Sequence, residues 1–138
     1  RGMLSGTYEA LQHAGLENRV YGWVNVPGEG PTEVFVNDRL FIHPSRPLGS
    51  NLPTPSAMFG TQKIRALLQQ CNPEDVVLCL LSGGGSSLLV DPISELTLEN
   101  KTKLTQALSM AGANIHQLNV VRRALSKVKG GGLLRACR

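Results

Sequence analysis

Apolar positions recur along this chain in two rhythms. Over residues 3–14, Leu4, Tyr8 and Leu11 fall at i, i+4 and i+7, which predicts a helix stopped by Gly15. The next segment, VYGWVNVP (20–27), alternates and is rich in Val, Tyr and Trp. It predicts a strand that Pro27 ends. EVFVNDRLFIHP (33–44) predicts one or two short strands, bent at Asn37-Asp38.

The pattern then breaks into PSRPLGSNLPTPS (44–56), a long polar loop of the kind that often carries function. Ser56 is placed to cap a helix over 57–70, with Ile64, Leu67 and Leu68 facing inward, and Cys71-Asn72-Pro73 stops it. VVLCLL (76–81) is an unbroken apolar run, which predicts a central parallel strand covered on both faces, with Cys79 a buried thiol. Thr97 caps a helix over about 98–111, closed by Gly112. Asn114 caps another over about 115–129, ended by the glycines at 130–132. Strands alternating with helices predict an α/β fold, a layered parallel sheet.

Composition narrows the functional classes. The 138 residues are 41% hydrophobic, enough for a core and unlike a disordered tail. Net charge is +4, which suits anionic partners. The positive charges form no long run and no basic–aromatic pattern, so nucleic acid is not the expected partner. Three cysteines without a CxxC pair predict a reducing, cytoplasmic setting and no zinc site. No apolar run approaches membrane-spanning length and no signal peptide is visible. RGMLSG at one end and LLRACR at the other both read as interior sequence, so a fragment is expected.

Two stretches carry candidate chemistry. SGGGSS (82–87) follows the predicted strand and so lies at a carboxyl end, where ligands bind in open α/β sheets. Successive N–H groups of Gly83, Gly84 and Gly85 can form an anion nest, with Ser82, Ser86 and Ser87 donating hydroxyl hydrogen bonds. The run is neither a Walker A loop, lacking the Gly-Lys-Ser/Thr, nor a dinucleotide fingerprint, since Leu88 holds the third glycine's place. A tight strand-to-helix turn needing positive φ is the alternative, slightly behind anion binding. In the second stretch, ANIHQLNVVRRALSKVKGGG (113–132), Leu118, Val121, Leu125 and Val128 share the core face. His116, Asn119, Arg123 and Ser126 share the opposite one. Arg122 and Lys129 border the core stripe, where they either aim into a cleft or complement the helix dipole.

These residues have a family look. DVVLCLLSGGGSSLL (75–89) followed by 93–136 resembles the glycerate 2-kinase family, whose members join an N-terminal Rossmann-like domain to a C-terminal domain known as MOFRL. The ordered motif runs SGGGS-S-LL, then GA-x-I-x-x-x-N-x-x-R-x-x-LS-x-x-KGG. The resemblance is closest over 75–136 and looser over 1–74. It implies an incomplete, Rossmann-like, three-layer N-terminal domain. It also implies transfer of the ATP γ-phosphoryl group to the 2-hydroxyl of D-glycerate, with Mg²⁺ as cofactor. In that reading Ser82 to Ser87 cradle a carboxylate or phosphate, Asn119 orients polar groups, and Arg122 and Lys129 offset developing charge. The family's Gly-Lys pair, its Ser-Asp segment and its C-terminal domain lie outside this chain, so the fragment alone is expected to be inactive. Two other outcomes are a kinase for another sugar acid, or a non-catalytic α/β module that binds an anion or a partner chain. A homo-oligomer through an exposed interdomain surface is the expected assembly.

Overall fold

The computed structural model describes residues 1–36 and 38–137. The elements are α1 (Gly2–His13), a 3-10 turn (Glu17–Arg19), β1 (Gly22–Pro27), β2 (Glu33–Val36), β3 (Leu40–Arg46) and α2 (Pro55–Gln70). Then follow α3 (Gly85–Leu88), α4 (Leu98–Met110), α5 (Ile115–Ala124) and α6 (Gly132–Ala136). The sheet has the order β1-β3-β2. β1 runs parallel to β3 with Val24 opposite Ile42, and β2 runs antiparallel to it with Val34 opposite Phe41. The sheet is therefore mixed, which corrects the parallel sheet expected from the alternation. β2 and β3 are close enough in sequence to pair as a hairpin, turned by Asp38 at φ 52°; Asn37 lies outside the described residues.

Helices cover both faces. On one, Leu4 of α1 joins Val26 and Ile42 in a buried cluster, flanked by Val24, Phe35 and Leu80. Tyr8 meets the Phe35 ring edge-on at a centroid distance of 5.9 Å. Burying each such aliphatic side chain is worth about 1.5–3 kcal/mol. On the other face, α2 lies against β1 and β3 through Ala57, Gly60 and Thr61, its buried residues. Ile64, Leu67 and Leu68 are only half-buried, because close approach selects the small residues of the first two turns. A Cβ on Gly60 would stand 2.1 Å from Asn25 Oδ1. The cap is Thr54, whose hydroxyl accepts from Ala57 N–H at 3.0 Å, rather than Ser56, which is already helical. Pro55 at the first helical position fits that start.

The largest departure is at 76–81. VVLCLL pairs with no strand among the described residues, and Val76 and Leu81 are 84% and 73% exposed. Cys79 is exposed, not a buried thiol. An all-apolar run says that a segment needs cover on both faces; it does not supply the neighbouring strands, and only Leu80 reaches the core. The Thr97 and Asn114 caps are as the sequence predicts, with Asn114 and Gln117 forming a reciprocal capping box. However, α5 ends at Ala124, five residues short of the predicted Lys129. Ser126 leaves the helix to bridge Pro92, and Lys127 N–H donates to Asp91 O at 2.9 Å. Gly130 and Gly131 then turn the chain in left-handed conformations into α6.

Candidate functional site

The glycine turn lies near Arg46, the last residue of β3. Before it, Leu80 packs into the α1-side cluster. After it, Leu88 O accepts from Asn25 Nδ2 at 2.7 Å on the α2 side. Gly84 sits at φ 76°, a left-handed conformation that leaves glycine as the natural occupant. Gly85 N–H donates to Ser82 O at 3.2 Å and Ser87 N–H to Gly84 O at 3.3 Å. The N–H groups of Gly83 and Gly84 donate to no group among the described residues. That is the free-donor arrangement of a nest. The one-turn α3 adds no helix terminus worth the name.

Lys129 and Arg122 converge on Ser86. Lys129 Nζ donates to Ser86 Oγ at 2.6 Å and to Ser86 O at 3.2 Å, and an Arg122 guanidinium nitrogen lies 3.4 Å from Ser86 Oγ. Arg122 is on the last turn of α5, but Lys129 stands beyond the helix. Its position is held by Ser126, a buried serine whose hydroxyl accepts from the N–H groups of Val128 and Lys129 at 3.3 Å each. Ser126 was expected on the solvent face; departure from the helix turns it inward. Around these groups opens a cleft of about 680 Å³, whose walls include Ser86, Asn119, Arg122, Arg123 and Lys129.

Its electrostatics favour an anion. Burial, then the neighbouring Arg122 and Lys101, lower the Lys129 ammonium to about 8. Lys101 of α4, only 7% exposed, is lowered by burial and by Arg122, with Asp91 pulling it back up. Three cations crowd together, and an oxyanion among them would relieve both their repulsion and their desolvation. The cleft walls carry no carboxylate. Among the described residues no group of three His, Cys, Asp or Glu side chains is placed to hold a metal. Serine hydroxyls, bare amides and cations thus fit phosphate or carboxylate oxygens, while the residues do not fit a divalent cation.

Similarity places this chain in a known family. Residues 8–138 match the family described as "Domain of unknown function (DUF4147)". The glycerate kinase of Mus musculus is 46% identical over 143 residues, covering 98% of this chain and 27% of the mouse protein. The D-glycerate 2-kinase of Thermotoga maritima is 46% identical over 83 residues, covering 60% of this chain and 20% of that one. The solved glycerate kinase structure from Thermotoga maritima is 38% identical with a TM-score of 0.71, over 91% of this chain and 29% of that one. The chain belongs to the N-terminal domain of the glycerate kinase family. It spans less than a third of the length of each of these relatives.

Within this glycerate kinase-family domain, Ser86, Arg122, Lys129 and Asn119 come together on one cleft, whereas Gly83, Gly84 and Gly85 are not among its lining residues. Ser82 is exposed and uses its carbonyl within the turn. Ser87 stands apart: it is buried, and its hydroxyl donates to Gly84 O at 3.0 Å. His116 lines the cleft from the exposed side of α5. His43 lies buried within β3 between Thr32 Oγ1 at 2.8 Å and Ser56 Oγ at 3.0 Å. Ser56 Oγ donates to Pro44 O at 2.8 Å, so its proton is already committed and the pair is a structural bridge. Lys101, Arg46 and Asn25 escaped the sequence reading. Lys101 sits in the charged stretch TLENKTK and Arg46 in a proline-rich loop, where a solvated cation is the default.

Proposed function

We propose that this chain is part of the N-terminal domain of a kinase that transfers the ATP γ-phosphoryl group to the 2-hydroxyl of D-glycerate. The observation that carries this reading is the convergence of Lys129 and Arg122 on Ser86 beside the unpaired amides of Gly83 and Gly84. The names of the relatives supply the substrate; the cleft supplies the chemistry. Phosphoryl transfer asks mainly for positioning and for charge stabilisation. The nest and Ser86 hold an oxyanion of donor or acceptor. Lys129 and Arg122 offset its charge, and Asn119 orients a hydroxyl or carboxylate. Mg²⁺ would travel with the ATP phosphates and take its protein ligands from outside this chain. The protein works in a reducing, cytoplasmic compartment.

The test is ADP release by the full-length protein with D-glycerate and Mg-ATP. Release with D-glycerate supports the reading, release only with another hydroxy acid makes it a kinase for a different sugar acid, and silence with every hydroxy acid sinks it.

The exposed run 76–81 bears on how the piece completes itself. In the intact domain it joins a larger Rossmann-like sheet as an added strand. It also carries a second reading, a non-catalytic module whose apolar segment docks a second copy or a partner chain. A concentration-dependent dimer of this chain that Leu78→Asp abolishes would favour that reading.

A further inference from the structure

The central strand ends on a cation whose Nε has no partner among the described residues. Arg46 is the last residue of β3 and is 8% exposed. Its buried Nε has no hydrogen-bond partner, and no carboxylate among the described residues pairs with it. A buried guanidinium N–H left so is costly, and native proteins keep such groups paired unless a ligand completes them. Its direction is informative. A guanidinium nitrogen lies 3.5 Å from the point where a Cβ on Gly84 would stand. The side chain therefore approaches the bare backbone of the turn at Gly84, whose N–H, like that of Gly83, has no acceptor among the described residues. Its main chain is independently anchored, since Gly28 N–H donates to Arg46 O at 2.8 Å.

We propose that Arg46 binds a substrate oxyanion, carboxylate or phosphate, against the amides of Gly83 and Gly84. This rests on the reading of the turn as an anion site and adds its guanidinium. A planar fork matches two oxygens of either anion, which a lysine at the same place would not. Gly84 is then needed twice, for its φ and because a side chain would enter the space between the guanidinium and the turn.

The test measures binding of D-glycerate and of ATP, separately, to the full-length protein by calorimetry, for wild type, Arg46→Met and Arg46→Lys. The expected result is at least a tenfold loss for one ligand in Arg46→Met, the other staying within about twofold. Arg46→Lys should recover only part of it, and unfolding without ligand should stay unchanged or move to higher temperature, since an unpaired buried charge has gone. Loss for D-glycerate identifies the carboxylate and loss for ATP the phosphate. Unchanged affinity for both overturns the proposal, as does an equal loss of both with a lower unfolding temperature. If the kinase reading fails and neither ligand binds, inorganic phosphate and acetate decide. Binding of either that Arg46→Met weakens sustains the proposal, and binding insensitive to Arg46 or absent for both overturns it.

Discussion

Lys129 Nζ meets Ser86 Oγ at 2.6 Å, across 43 positions of sequence. The contact joins the turn after α5 to the short helix α3, and both residues line the cleft. Lys129→Met should lower kcat/KM of the full-length protein by about 10²–10³-fold, the scale of losing a charge-stabilising donor. Its unfolding midpoint should hold or rise, because a half-buried cation repelled by Arg122 and Lys101 is removed. Coupled ADP release and urea unfolding on the same preparation check both. A loss of stability with unchanged kcat/KM would make Lys129 a packing residue.

The same lysine sets a pH dependence. An unfolded lysine titrates near about 10.4, and Lys129 in the fold at about 8. Between these values the unfolded chain binds more protons, so stability rises with pH through that window; below it the penalty of the buried ammonium is fully present. Oxyanion binding runs the other way, because it needs the ammonium. The kcat/KM profile should fall above about pH 8, and Lys129→Arg should remove that alkaline limb. A wild-type profile flat between pH 7 and 10 contradicts the assignment.

Two neighbouring glycines separate turn geometry from ligand approach. Gly84→Ala places a Cβ at φ 76° and should cost about 1–2 kcal/mol of stability. Gly83 has no positive φ, and a Cβ there meets nothing within 4 Å, so Gly83→Ala should leave stability within about 0.5 kcal/mol. If the turn is a nest, Gly83→Ala still weakens phosphate binding. Calorimetric titration with inorganic phosphate reads this out; unchanged binding would reduce the turn to a corner.

Asp91, 2% exposed, pairs with Arg65 at 2.6 Å and holds the segment between α3 and α4 to α2. It also accepts Lys127 N–H on its carbonyl and pulls Lys101 toward its ordinary range. Asp91→Ala should destabilise by about 3 kcal/mol, the low end for breaking a buried pair, because Arg65 keeps partial contact with water. Urea unfolding measures it. A change below about 1 kcal/mol would show that water already compensates the arginine.

What the sequence determined by itself was local. The alternation of GWVNVP makes a strand, and Thr97 and Asn114 start helices because their side chains reach amides three residues on. SGGGSS makes a left-handed turn because only glycine adopts it cheaply. Helical periodicity put Arg122 and Lys129 beside the core stripe, and resemblance to the glycerate 2-kinase family implied their candidate roles. Tertiary structure decided the rest, because burial and charge depend on neighbours that chain order does not name. It left VVLCLL uncovered, took Ser126 out of the helix to hold Lys129, and buried Lys101 and Arg46 in stretches that read as solvated. It also tied the glycine turn to β1 through Asn25 and Leu88, 63 positions apart. Hydrogen bonds of three or four residues' reach leave a mark in local pattern, whereas a pair this distant is joined only when the packed sheet brings its two segments together.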